Sequence, residues 1–420
     1  MNIVLISLDA VRPDYLTSDV FQSIKEEGRV FDSCICQAPH TSTSHSSILT
    51  GLYPFNHGVR WLVDYEVRGK MIQECLADRG FKTAAFIGGF PLTEGNLDQG
   101  FEVFDYNPVV RDIMEGREAY MPANVVVQKA VSWLNENDGE DTFTFLHFFD
   151  AHLMLRSEFG KGEWPEKDEN GIFVDVEQSL GRRQRRYKEE VNFMGEQIRL
   201  LLELSDVDLL VLTADHGTKM QGEKNYPWVY NSKGEKVGTQ FHVAELYDQQ
   251  LKVPLIFWGK DVKAGKVDKQ VRSIDIAPTI MNYVGEPDYK CDGRNLVKEE
   301  YAEYAYSETY FAQLVESNRR AHELHEKSSW GWTDVDSFVS LRSDSHKLIC
   351  TANGKLVPYE LYDLKNDPGE TENIIGSKPE IEGEAMRALA DLTANDEQME
   401  LCGDKVVDDL VDKLETLGYL

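Results

Sequence analysis

Short, continuously apolar runs alternate with amphipathic stretches along this chain. Val4 to Leu8, Thr83 to Ile87, Phe143 to Phe149, Val207 to Thr213 and Val253 to Trp258 are brief and rich in valine, isoleucine, leucine and phenylalanine. That is the texture of strands buried on both faces of a parallel sheet. Between them, Met71 to Gly80 reads as a helix closed by a glycine. Tyr187, Val191, Met194, Ile198 and Leu201 recur at helical spacing just before the Val207 strand. The alternation predicts an α/β fold in which ligands sit at the carboxyl ends of the strands. From Phe338 onward the pattern shifts to short strands around turns: Phe338 to Arg342, Lys347 to Cys350, Lys355 to Val357 and Glu360 to Tyr362. Residues from about Pro379 to Leu420 are acidic and helical in pattern, with Leu389, Leu392, Leu410 and Leu414 suited to docking.

The strand ends carry the candidate chemistry. Asp9 closes the first apolar run, Asp150 and His152 close the run Phe143 to Phe149, and Asp215-His216-Gly217 follows Val211-Leu212-Thr213-Ala214. Asp9 alone would read as a helix cap, and Asp215-His216 alone as a turn. Three strands that each finish in a metal-competent residue point instead to a shared site. Carboxylates, imidazole and the hydroxyl of Thr41 together suit zinc or manganese better than an all-oxygen calcium site.

Charge narrows the function classes. A formal net charge of −29 over 420 residues opposes general binding to nucleic acid or to an anionic membrane. A small anionic substrate would then need local positive charge, from a metal or a few bases. Six scattered cysteines do not make a disulfide framework in a chain of this length. Met1 to Asp9 lacks a basic segment and a small-residue cleavage site, and no apolar run approaches the ~18 residues of a membrane span. The expectation is a cytoplasmic protein with no membrane segment.

One segment is unusually dense in hydroxyls and imidazoles: Ala38-Pro39-His40-Thr41-Ser42-Thr43-Ser44-His45-Ser46-Ser47-Ile48-Leu49-Thr50-Gly51-Leu52-Tyr53-Pro54, then Asn56-His57-Gly58. It resembles the nucleophile signature of the sulfatase family, in the alkaline phosphatase superfamily. Asn2 to Arg12 is similar to that family's opening strand. Thr213-Ala214-Asp215-His216-Gly217 and Leu246-Tyr247-Asp248 with Lys252-Val253-Pro254-Leu255-Ile256 resemble its metal-binding and following strand motifs. Ser273 to Ile280, Asp292-Gly293-Arg294-Asn295-Leu296 and Glu360 to Glu370 with Asn373 resemble later landmarks. The resemblance implies a large mixed, mostly parallel sheet sandwiched by helices over residues 1–310. It also implies a smaller C-terminal α+β lobe over 311–420, with a short antiparallel sheet and a packed helix.

The resemblance breaks at the reacting residue. Sulfatases carry a cysteine or serine that is oxidised to formylglycine, followed by proline and arginine. Aligned on Thr50-Gly51 and Tyr53-Pro54, this chain has Thr41 at that position, Thr43 at the proline and His45 at the arginine. Threonine cannot become formylglycine, and Cys36 lies out of register. Ala10 stands where sulfatases usually place a second aspartate, and His216 where many place asparagine.

Phosphodiesterases, nucleotide pyrophosphatases and phosphoryl-headgroup transferases of the superfamily use a metal-bound threonine with an Asp-His pair. The resemblance to them implies a hydrolase of phosphate mono- or diesters, or of phosphonate esters. Thr41 would be the nucleophile, Asp9, Thr41, Asp215 and His216 the metal ligands, and His152, His242 and His45 the catalytic supports. A sulfuric-ester hydrolase without formylglycine, a phosphotransferase and a non-catalytic binding protein are the alternatives. Lys219 is expected to be a solvated loop lysine, and His40 and His57 to support turns. The arginines at 182, 183, 185 and 186 are expected at a helix start, and His346-Lys347 at a strand end or beside the pocket.

Overall fold

The computed structural model describes residues 1–60, 66–93, 95–113, 116–152, 176–220, 228–230, 236–238, 245–309, 337–352, 356–394 and 396. The chain divides into two compact units. The first comprises Met1–Cys34, Lys70–Gly222 and Lys252–Lys269; the second comprises Ile35–Gly69, Glu223–Leu251 and Gln270–Leu420.

Sixteen strands are assigned among the described residues. The first eight are β1 (Asn2–Leu8), β2 (Arg29–Ile35), β3 (Lys82–Ile87), β4 (Val103–Asp105), β5 (Val109–Ile113), β6 (Gly116–Tyr120), β7 (Thr142–Phe148) and β8 (Leu209–Thr213). They are followed by β9 (Trp228–Tyr230), β10 (Lys236–Gly238), β11 (Lys252–Gly259), β12 (Gly265–Arg272), β13 (Ala305–Thr309), β14 (Phe338–Arg342), β15 (His346–Ala352) and β16 (Leu356–Asp363). The large sheet has the order β12-β2-β11-β8-β1-β7-β3-β4. β1 lies at its middle, parallel to β7 on one side and to β8 on the other. This is the mixed, mostly parallel sheet with helices that the resemblance implies.

Burial explains the runs. Ile3 to Leu8 of β1 and all seven residues of β7 are buried, so neither strand has a wet face on which to alternate polar residues. Val253 to Trp258 departs from expectation, because β11 runs antiparallel to β8, Leu255 facing Thr213. A doubly buried strand has the same composition in either direction. At the end of β3, Gly88 donates its N–H to the carbonyl of His147 at 2.9 Å, and a Cβ there would come within 2.5 Å of that oxygen.

In the first unit, helix α1 (Asp19–Glu27) buries Phe21 and Ile24. A 29-residue helix, Val176–Leu204, precedes β8, and all five residues of its predicted stripe are buried. It starts well before the arginine run expected at its head, and Arg185 and Arg186 are exposed along it. The predicted helix from Met71 appears as Ile72–Ala77. No described helix is long and apolar enough to cross a membrane.

In the second unit, β13-β14-β15-β16 form an antiparallel sheet. The two short strands expected around Lys355 and Tyr362 are one strand, β16, with a register shift opposite Ile349 and Cys350. Helix Pro379–Leu392 packs Ala385 and Leu389 into a core with Val339, Leu341, Leu348 and Leu361. Leu410 and Leu414 fall outside the described residues. Lys347, expected at a strand end, is fully buried near the start of β15. Its ammonium lies 2.5 Å from Asp248 and 2.6 Å from Glu370, while Arg342 pairs with Asp248 at 2.8 Å. Burial opposes ionisation of Asp248, but Lys347 and Arg342 outweigh it and hold the carboxyl well below its usual range.

Candidate metal centre

Asp9 stands one residue beyond β1, and Asp215 and His216 stand just beyond β8. Because β1 and β8 are adjacent and parallel, their carboxyl ends deliver these three side chains to one place. One ligand atom from each lies within 4.8 Å of the others, and all three residues are buried. His216 Nε2 is 3.3 Å from Asp215 Oδ2 and 4.0 Å from Asp9 Oδ1. Donors held about 2.1 Å from one tetrahedral ion are about 3.4 Å apart, so the spacing suits a bound divalent ion with little adjustment. The donor chemistry, two carboxylates and an imidazole, fits a divalent metal as well.

Hydrogen bonds fix which atom of each ligand turns toward the centre. His216 Nδ1 lies 2.8 Å from the Gly217 carbonyl, which can only accept, so Nδ1 carries the proton and Nε2 presents its lone pair. Asp215 Oδ1 accepts the N–H groups of Ala10 at 3.1 Å and His216 at 2.8 Å, while Oδ2 is the oxygen nearest His216. Asp9 Oδ2 is held by His147 Nε2 at 3.0 Å, and Oδ1 faces His216.

His147, which the sequence reading passes over, holds Asp9 from β7. The Gly89 N–H approaches its Nδ1 at 3.3 Å, so Nδ1 accepts and Nε2–H donates to the carboxylate. Burial pushes the His147 pKa down to about 4, with Asp215 opposing and His216 adding to the fall. It is therefore a neutral donor at pH 7. The signal in the sequence was a single imidazole in the otherwise apolar and hydroxylic Thr142-Phe143-Thr144-Phe145-Leu146-His147-Phe148.

Ala10 occupies the left-handed region at φ 59°, a conformation that costs a non-glycine residue about 1–3 kcal/mol. It is pinned from both ends: its N–H donates to Asp215 and its carbonyl accepts the Tyr187 hydroxyl at 2.7 Å. The residue where a second aspartate was missing thus orients the backbone around the remaining one.

The other predicted site residues are placed as follows. His152 is buried in the first unit and stacks on Phe149, ring centres 4.4 Å apart. Asp150 accepts the Ala123 N–H at 3.1 Å and so caps the helix Ala123–Glu136. Lys219 is 7% exposed, buried rather than solvated. Thr41 and His45 belong to the second unit, on helix α2 (Thr41–Thr50), every residue of which is buried. Thr41 is its first residue, at the positive end of the helix dipole. His45, one turn later, donates from Nδ1 to the Thr41 carbonyl at 2.8 Å. His242 lies outside the described residues.

Ser47 and His57, 2.9 Å apart in the same unit, are not a nucleophile and base. His57 Nδ1 accepts the Val59 N–H at 3.1 Å, so Nε2 bears the proton and donates to the serine. This is the turn-supporting role expected of His57. The close of α2 needs glycine: Gly51 has φ +72°, and its carbonyl accepts the N–H groups of Asp292 and Gly293.

Comparison with known proteins places the chain in a family. The sequence profile of the Sulfatase family matches residues 2–286, and that of the N-sulphoglucosamine sulphohydrolase C-terminal region matches 238–395. The chain is similar to arylsulfatase K of Mus musculus, 26% identical over 200 residues, 45% of this chain and 31% of that protein. It also resembles phosphopentomutase of Aeromonas hydrophila, 32% identical over 118 residues, 27% of this chain and 24% of that protein. The matches span about a third or less of these relatives' length.

Among solved structures, a 2-O GAG sulfatase superposes with a TM-score of 0.69 at 15% identity, covering 97% of this chain and 95% of that one. The phosphonate monoester hydrolase of Agrobacterium radiobacter gives 0.66 at 17% identity, covering 94% and 96%. With the family profile running from the first strand past β12 and the same fold in these structures, the chain belongs to the sulfatase family of the alkaline phosphatase superfamily.

Proposed function

We propose that this protein is a divalent-metal-dependent hydrolase of phosphate mono- or diesters in which Thr41 is the nucleophile. The observation that carries the reading is the donor set: Asp9 and Asp215 with the Nε2 lone pair of His216, a nitrogen-containing site in place of an all-oxygen one. A metal bound there would supply positive charge that activates a hydroxyl coordinated to it and offsets the charge of an anionic ester. Similarity to a phosphopentomutase and a phosphonate monoester hydrolase supports chemistry at phosphorus.

The chain's own part is as follows. Thr41 Oγ1 attacks phosphorus and displaces the alcohol, which leaves with a proton, and water then cleaves the phosphothreonine. The amino-terminal end of α2 favours the negative charge that develops on that oxygen. His45, held by its Nδ1 bond to Thr41, takes the place of the arginine that follows the nucleophile in sulfatases. His147 keeps Asp9 oriented. His152 is the described candidate for protonating the leaving group, with His242 as its expected companion.

Similarity to arylsulfatase K favours a second reading, hydrolysis of a sulfuric ester by unmodified Thr41. Metal analysis of the purified protein, followed by turnover of nitrophenyl phosphate, bis-nitrophenyl phosphate and nitrophenyl sulfate, separates the two. Cleavage of the sulfate ester alone overturns the phosphoryl reading. Full activity in Thr41→Ala overturns the nucleophile.

A further inference from the structure

The chain turns sharply where β1 ends. The Val11 N–H donates to the Leu8 carbonyl at 3.2 Å, so Leu8, Asp9, Ala10 and Val11 form a tight turn with Asp9 second and Ala10 third. A third residue at φ 59° belongs to the turns that take glycine there, because glycine reaches positive φ at no steric cost. This chain has alanine, so the turn needs an outside hold. Asp9 is a candidate metal ligand, and the shape of the turn sets where its carboxylate points.

The hold comes from either side of the Ala10 Cα. Its N–H donates to Asp215 Oδ1 at 3.1 Å, and its carbonyl accepts the Tyr187 hydroxyl at 2.7 Å. The same hydroxyl accepts the Arg12 N–H at 3.1 Å, so one oxygen atom pins two successive peptides. Tyr187 belongs to the long helix Val176–Leu204, is 0% exposed and is braced edge-on by Tyr15, ring centres 4.7 Å apart. Filling that space needs only a phenyl ring. The hydroxyl is what reaches the turn.

We infer that Tyr187 is a positioning residue for the metal centre: its hydroxyl keeps the Leu8–Val11 turn in the strained form that presents Asp9 and sends the Ala10 N–H to Asp215. The inference rests on Asp9, Asp215 and His216 being the metal ligands, and it gives a helix that carries no ligand a part in metal affinity. His147 orients one carboxylate by a direct bond. Tyr187 acts on both carboxylates, through the backbone alone.

Tyr187→Phe keeps the ring and its packing and removes the hydroxyl. Metal-free full-length protein is titrated with zinc, and separately with manganese, in competition with a chromophoric chelator, and its thermal unfolding is followed without metal. Once the hold is gone the turn relaxes and metal binding must restore its strain. Affinity is therefore expected to fall by roughly 5- to 150-fold, the strain of a left-handed alanine expressed as an equilibrium ratio. Adding Ala10→Gly removes that strain and is expected to return the double variant to within about threefold of wild type. The inference is overturned if Tyr187→Phe binds within about twofold of wild type, whatever its unfolding temperature, since the hydroxyl would then only satisfy two backbone groups. It is also overturned if affinity falls and Ala10→Gly does not recover it. Wild-type protein that takes up neither ion removes the metal centre itself and this inference with it, so the wild-type titration tells the two failures apart.

Discussion

His147 is a residue through which the metal centre can be tuned without touching a ligand. Its Nε2–H donates at 3.0 Å to a carboxylate buried with it, a hydrogen bond to a charged group in which both side chains are shut off from solvent. Such bonds contribute about 1.5–3 kcal/mol. At about 1.4 kcal/mol per decade, His147→Leu should weaken metal binding by roughly 10- to 150-fold, which overlaps the range of about 10- to 100-fold seen for partners behind metal ligands.

His147→Gln is the control. The glutamine amide reaches about as far as imidazole Nε2 and can still donate to Asp9, so it should recover much of the loss. Competitive titration of zinc or manganese against a chromophoric chelator measures both variants. Binding in His147→Leu within about twofold of wild type would refute the reasoning, because Asp9 would then be either correctly held by something else or not a ligand.

Two further outcomes follow from groups in the second unit. Burial, with a smaller contribution from Arg60, lowers the His57 pKa to about 3, so the unfolded chain binds a proton that the folded one refuses. This stability is complete above pH 6.5 and is lost as pH falls toward 3, on the order of 4–5 kcal/mol over the window; His57→Gln should flatten the acid limb of a denaturant-midpoint profile. Lys347→Met leaves Glu370 buried and Asp248 half-buried without their shared ammonium and should cost about 3–5 kcal/mol, read as a lower guanidinium midpoint that adding Glu370→Gln partly restores.

Asp9, Asp215 and His216 were legible in the sequence because each interrupts an apolar run at its end, and adjacent parallel strands bring such ends together. His147 was not, because it sits inside a run, where a polar residue reads as tolerated rather than placed. The direction of β11 was hidden for a related reason: burial on both faces removes the alternation that would have marked it. Lys219 was expected to be solvated and is buried; Lys347 lies at the expected strand end, but its burial was hidden because the acids that allow it, Asp248 and Glu370, arrive from distant segments.

The position of β1 at the middle of the large sheet also bears on synthesis. Its partners are β7, ending at Phe148, and β8, ending at Thr213, and a ribosome adding about 5–20 residues per second needs about 10–40 s to deliver the second of them. Until β7 has been made, six apolar or hydroxylic residues, Ile3 to Leu8, have neither of their partner strands to pair with. A strand destined for the middle of the sheet is thus made before both of its partners, and Asp9 at its end waits longest for Asp215 and His216, with which it forms the candidate metal cluster.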